Sequence, residues 1–140
     1  MIAVVDANEL FALLIKGSKE AKELLVSEKL RLIAPEFLLV EFSNNKEEIL
    51  SKTHRTEEEF LEVLSIIRDR IKFVPGEEFK DFIPIARKLF PEHPKDAPYL
   101  ALALTYNCLL WSEEKLLKKQ SSIKVFNTAE LSKLLSSSEE

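Results

Sequence analysis

Ile2-Ala3-Val4-Val5-Asp6, residues 2–6, is the stretch whose reading decides the fold. A short run rich in β-branched residues favours a buried strand, and it ends directly on an acid. Outward from it, strand and helix signals alternate. Residues 9–16 carry helical apolar spacing and stop at Gly17, a natural C-terminal cap. Ser18 can cap a second helix to about Ser27. Residues 31–33 read as a second strand, ended by Pro35, which then fits the first turn of a helix running to about Lys52. Thr56-Glu57-Glu58-Glu59 is a capping box for a helix with the stripe Phe60, Val63, Leu64, Ile67 and Ile71. Residues 72–74 form a third strand, halted by Pro75-Gly76, and helix returns over 77–90, broken or restarted at Pro84. Residues 97–106 are apolar almost all round, so that helix is expected to be buried. Leu109–Trp111 is a fourth strand and 124–126 a fifth; Asn127, with Glu130 three residues on, caps a last helix to about Leu135.

Short strands separated by helices predict an α/β fold, a parallel five-stranded sheet covered on both faces in three α/β/α layers. At 140 residues, without repeat or linker, residues 1–135 are expected to form one domain, with 136–140 a loose tail. Hydrophobic residues make up 46%, enough for a core, yet no run approaches the length of a membrane span. The start M-I-A-V-V-D lacks the basic and small-residue features of a signal peptide, so a cytoplasmic protein is expected. A net charge of −4 excludes a strongly basic nucleic-acid binder but not a local basic patch. Two glycines and a Lys/Glu-rich surface lean toward a thermophile. The single cysteine, Cys108, excludes an intrachain disulfide and a thiolate cage, and in N-C-L-L-W it reads as a core residue.

In open parallel sheets the site lies beyond the carboxyl ends of the central strands, which directs attention to the acids placed there. Asp6 follows the first strand; with Glu9 it forms a D-x-x-E pattern that also suits a helix cap, and Asn8 stands two residues on. Glu41, inside F-L-L-V-E-F, shares a helical face with Leu38, Phe42 and Asn45. A charge so placed needs a metal or a partner, and Lys46 or a distant lysine is the structural alternative. Asp96 heads the buried helix in P-K-D-A-P-Y-L, where capping alone also accounts for it. Glu113 and Glu114 follow the fourth strand, one of them an ordinary surface acid. Together these acids meet at one sheet rim. Oxygen-only ligands, without cysteine or a useful histidine pair, select a hard cation such as Mg²⁺ or Mn²⁺, which can activate water and neutralise charge on a phosphorane-like transition state. His54 and His93 lie in polar segments and read as surface residues.

The order V-V-D-A-N, P-E-F-L-L-V-E-F, K-D-A-P-Y-L-A-L-A-L and L-L-W-S-E-E-K, over residues 1–135, resembles the PIN-domain family. The resemblance implies a metal-dependent ribonuclease, and many members are toxins of bacterial and archaeal toxin–antitoxin pairs that often form dimers. It places the family's first aspartate on Asp6, its glutamate on Glu41 and its third acid on Asp96. The fourth acid, an aspartate in an S/T-x-D-K context, falls on Glu114, with Ser112 as the hydroxyl. Glutamate there is a departure that bears on the second metal position and on activity.

An RNA substrate needs cations nearby, and Lys52, Arg55, Arg87, Lys88, Lys95, Lys115, Lys118 and Lys119 are candidates, for most of which a solvated surface paired with glutamates is the alternative; no aromatic stacking platform is visible. An antitoxin protein and a homodimer or higher homo-oligomer are the implied partners. Two rivals stand beside this reading. One is a haloacid-dehalogenase-type phosphohydrolase, faintly suggested by D-x-N, although Asn8 occupies the place of its second aspartate. The other is a PIN-like module that has lost catalysis and serves in binding or assembly.

Overall fold

The structure, a computed structural model, describes residues 1–15 and 17–137. Five strands form one all-parallel sheet in the order β3-β2-β1-β4-β5, where β1 is Ile2–Val5, β2 Arg31–Pro35, β3 Ile71–Val74, β4 Leu109–Trp111 and β5 Val125–Phe126. The strand expected to decide the fold lies at its centre. Ala3, Val4 and Val5 are fully buried and register against Leu109, Leu110 and Trp111 on one side, while Ile2, Ala3 and Val4 pair with Arg31, Leu32 and Ile33 on the other.

Helices cover both faces. Ahead of β2 come α1 (Ala7–Ile15) and α2 (Lys19–Val26); between β2 and β3 lie α3 (Phe37–Asn44), α4 (Lys46–Ser51) and α5 (Glu57–Arg70). Next are α6 (Ile83–Leu89) and α7 (Ala97–Tyr106), and α8 (Thr128–Ser137) follows β5. The buried α7 lies against β1, β2 and β4, as its apolar sequence requires. It ends at Asn107, which takes the left-handed conformation (φ 51°), and the Cys108 amide returns to the Ala103 carbonyl at 3.0 Å. Gly17 closes α1 the same way at φ 69°; a Cβ there would lie 3.3 Å from both Leu13 and Lys22.

Local signals place most helix starts. Thr56 forms its reciprocal capping box with Glu59, and Asn127 with Glu130, whose amide donates to Asn127 Oδ1 at 2.8 Å. Of the expected stripe on α5, Phe60, Leu64 and Ile67 are buried and Val63 is partly so, but Ile71 belongs to β3.

Other boundaries differ from the sequence expectation. Helix α1 begins two residues early, at Ala7, and its expected last residue, Lys16, lies outside the described residues. Pro35 is the last residue of β2, in register with Val74, and not the first turn of a helix; the Glu36 amide donates to the Val74 carbonyl and prolongs the pairing. The long helix expected after it is two, because the backbone leaves helical geometry at Asn45 (φ −108°, ψ 14°), where the backbone and side-chain amides of Asn45 both donate to the Glu41 carbonyl. Pro84 does restart a helix, after two 3-10 turns. The last helix runs through Ser137, so the expected loose tail is shorter at its start; residues 138–140 lie outside the described residues.

Candidate active site

The strand order reverses between β1 and β4, and the residues leaving these two strands form the crevice where open parallel sheets bind ligands. Asp6 leaves β1 and Ser112 leaves β4; both are buried. The Asp6 amide donates to the Trp111 carbonyl, which ties the two exits together. Asp6 Oδ1 accepts the Glu9 amide at 2.9 Å, so the capping reading of Asp6 holds in one direction. The Ser112 hydroxyl also bonds the Asp6 carboxylate, and Ser112 Oγ in turn accepts the Glu114 amide at 3.0 Å. Burial raises the Asp6 pKa, the Ser112 and Glu9 bonds lower it, and the charges of Asp96 and Glu113 raise it again, with the net shift upward.

Asp6, Glu41 and Asp96 line a single concavity of about 490 Å³, with Asn8, Lys95, Phe37 and Tyr99. Glu41 is half-buried on α3, and the alternative of a bond to Lys46 does not hold: Lys46 pairs with Glu57. Asp96, at the mouth of α7, makes no side-chain capping bond, contrary to the capping alternative, so its carboxylate is not spent on the helix. Burial raises its pKa, the neighbouring His93 lowers it, and Glu114 raises it. Tyr99, one helical turn along α7, is buried; burial first, then the charges of Glu41, Asp6 and Asp96, push its hydroxyl pKa far up.

The other expected residues stand at varying distances from this centre. Glu114 does not line the concavity; its Oε1 accepts the Leu116 amide at 3.1 Å and caps the 3-10 turn that follows. Glu113 is exposed and accepts the Thr128 amide at the start of α8. Lys95 is at the concavity itself. Lys52 borders an adjoining hollow that shares Asn8 and Glu41, and it also pairs with Glu48. Arg55 is half-buried, its Nε on the Ile15 carbonyl at 3.4 Å, and Lys115 is exposed at the start of the turn after Glu114. Cys108 is partly buried with its thiol pKa pushed up to about 11 by burial, as an inert core residue would have it. His54 and His93 are exposed, His93 stacked on Phe90.

Two features were missed in the sequence. Phe37, 39% exposed, meets the buried Tyr99 edge-on at 6.1 Å beside the acids, an aromatic contact the sequence reading did not name. The first signal for it is the spacing of Phe37 and Glu41, one helical turn apart. Glu9, 5% exposed, has a buried Oε1 with no hydrogen-bond partner. Burial, then the charges of Glu113 and Asp6 and a side-chain hydrogen bond with Glu113, push its pKa up to about 8. The Asp6 amide is occupied by the sheet, so Glu9 cannot complete the reciprocal cap that D-x-x-E suggests.

The all-oxygen donor set suits a hard divalent cation in kind. Its side chains are not drawn into a cage: among the described residues no group of three or more histidine, cysteine, aspartate or glutamate side chains is arranged to hold a metal ion.

A doubly wound parallel sheet with acids gathered where its strand order reverses defines the class. The PIN domain matches residues 4–136, and the chain belongs to the PIN-domain family, whose members are generally nucleases. That match leaves the haloacid-dehalogenase alternative without support. Among solved structures, VapBC2 from Rickettsia felis bound to a DNA fragment from their promoter is similar at 16% identity and a TM-score of 0.65, covering 91% of this chain and 98% of that one. Among proteins of curated function, none matches the chain in sequence. No helix among the described residues is long and apolar enough to cross a membrane.

Proposed function

We propose that this chain is a Mg²⁺- or Mn²⁺-dependent endoribonuclease acting as the toxin of a toxin–antitoxin pair. One observation carries the reading: Asp6, Glu41 and Asp96, far apart in sequence, line the same concavity at the switch point, and Asp96 is free of the capping role that would otherwise explain it. Asp6, Glu41 and Asp96 would hold the cation, with Glu114 reaching it weakly or through water. When bound, the ion supplies charge neutralisation at the phosphodiester and a more acidic water. The protein's own part is positioning. The Ser112 hydroxyl and the Glu9 amide hold the Asp6 carboxylate in place, Asn8 stands at the same opening, and Lys95 offers a cation to the RNA backbone beside the acids. Lys52, Arg55 and Lys115 are outlying candidates for the same strand.

An antitoxin protein, a homodimer or higher homo-oligomer and a cytoplasmic setting belong to this proposal; the likeness to VapBC2 supports the first. The test is cleavage of single-stranded RNA by purified protein with Mn²⁺. Activity is expected, abolished by chelator and by Asp6→Asn. A wild type that binds Mn²⁺ yet cleaves no RNA would sink the enzyme reading in favour of a module that has lost catalysis. The commitment of the Glu114 carboxylate to the Leu116 amide is the observation favouring that second reading.

A further inference from the structure

Four cations gather at the end of the sheet opposite the acids. Arg31 opens β2, Lys72 lies in β3, and Arg68 and Arg70 close α5. They line one concavity of about 680 Å³, beside the first residues of β1 and β3. Only Glu28 and Asp69 oppose them in its lining, so four positive charges and two negative leave +2 there, in a chain whose net charge is −4. Arg31, Arg68 and Arg70 are exposed, and none forms an ion pair among the described residues. Lys72 Nζ reaches the Tyr106 hydroxyl at 3.4 Å and lies 5.7 Å from its ring centroid, which leaves donors to spare.

The ordinary account of Arg68 and Arg70 is that cations suit the C-terminal end of a helix. It does not extend to Arg31 and Lys72, which sit on strands. Unpaired like charges around one hollow repel, and an anion relieves them. Guanidinium groups match phosphate oxygens in geometry as well as charge. The hollow is larger than phosphate alone needs and lies in the range of small-molecule sites. Leu30 and Ile71 give it an apolar floor, and Tyr106 borders it.

We propose that this concavity binds a nucleoside polyphosphate, its phosphates on Arg31, Arg68 and Arg70 and its organic part against Leu30, Ile71 and Tyr106. The site is independent of the nuclease reading: β1 separates the two by its whole length, roughly 13 Å for four residues. A ligand here does not touch the acids.

Fluorescently labelled ATP, followed by anisotropy in EDTA at low salt, tests the proposal without loading the acidic site. Saturable binding is expected, weakened about tenfold or more by the double change Arg68→Ala and Arg70→Ala, and unchanged by Lys133→Ala. Unlabelled ATP should compete better than inorganic triphosphate, because the apolar floor contributes. All three positions are exposed, so thermal melts should coincide; if the double variant melts early, Arg31→Ala on a separate element must show the same loss of affinity. RNA cleavage is expected to survive in all these variants. Absence of saturable binding, equal binding by the arginine variants, or competition by inorganic triphosphate or a short RNA as strong as by ATP would overturn the proposal.

Discussion

Glu9 keeps its carboxyl group buried behind Asp6, with Oε1 lacking a partner and its pKa pushed up to about 8 from an ordinary 4.5. The folded chain therefore holds a proton that the unfolded chain releases above its ordinary value. Stability contributed at low pH is lost as pH rises toward the folded value, at a limiting slope of about 1.4 kcal/mol per pH unit. Asp6 and Asp96, also shifted upward, act in the same sense. Denaturant unfolding in EDTA at pH 5, 6, 7 and 8 should show the decline, and Glu9→Gln should flatten much of it; a wild type whose stability rises over that interval contradicts the assignment. The other residue-scale test concerns the acids of the concavity. Glu41→Gln keeps volume and removes charge, so cleavage should fall about 100-fold or more, roughly 3 kcal/mol of barrier, while stability stays within ~0.5 kcal/mol. A large drop in melting temperature instead would mean that Glu41 serves the fold. In the same assay Glu114→Ala should cost less than Asp6→Ala, Glu114→Asp should retain or raise activity, and Glu113→Ala should be nearly silent. The reverse order of Glu113 and Glu114 would move the fourth acid by one position.

At the scale of elements, each site acid is carried by the end or the face of a differently built unit. Asp6 is fixed by the sheet, because its amide is a rung between β1 and β4. Glu41 sits in the last turn of α3, whose end at Asn45 leaves helical geometry while both Asn45 amides cap the Glu41 carbonyl. Asp96 depends on α7, whose burial on nearly every side holds its N-terminus at the crevice. Helix α5 contributes no residue to the lining of the acidic concavity and is amphipathic, with a complete capping box at Thr56. Thr56→Ala should therefore lower stability by about 1 kcal/mol and leave cleavage unchanged, a separation that chemical denaturation beside the RNA assay can read. Loss of activity in that variant under native conditions would mean that α5 is coupled to the acids.

For the whole molecule, the buried residues form one continuous cluster that runs from β1 through α7 to α8. We propose that residues 1–135 unfold as a single domain. Calorimetry should give one transition with equal calorimetric and van't Hoff enthalpies, and two resolved transitions would refute it. The sheet also explains how the molecule keeps two chemistries apart. Acids collect at the carboxyl ends of β1 and β4, while Arg31 and Lys72 gather at the amino ends of β2 and β3. Parallel strands make this polarity possible, since every carboxyl end lies on the same rim.

The sequence alone determined what short-range physics determines. The β-branched run at Ile2–Val5, the capping signals at Ser18, Thr56 and Asn127 and the all-round apolar α7 specified the strands, most helices and an α/β/α parallel sheet. The order of Asp6, Glu41 and Asp96 along the chain also named the acids that the structure brings to one concavity. Other features were decided only by the tertiary structure, because each depends on a partner distant in sequence. Pro35 ends a strand because β3 offers the Val74 carbonyl to Glu36. Glu9 Oε1 is buried without a partner because β4 has already taken the Asp6 amide. Phe37 meets Tyr99 because α3 and α7 converge on the crevice, and four dispersed cations become one patch because two strands and a helix end bring them there. Local propensity follows from neighbours a few residues apart, whereas these contacts join residues whose proximity exists only once the sheet has formed.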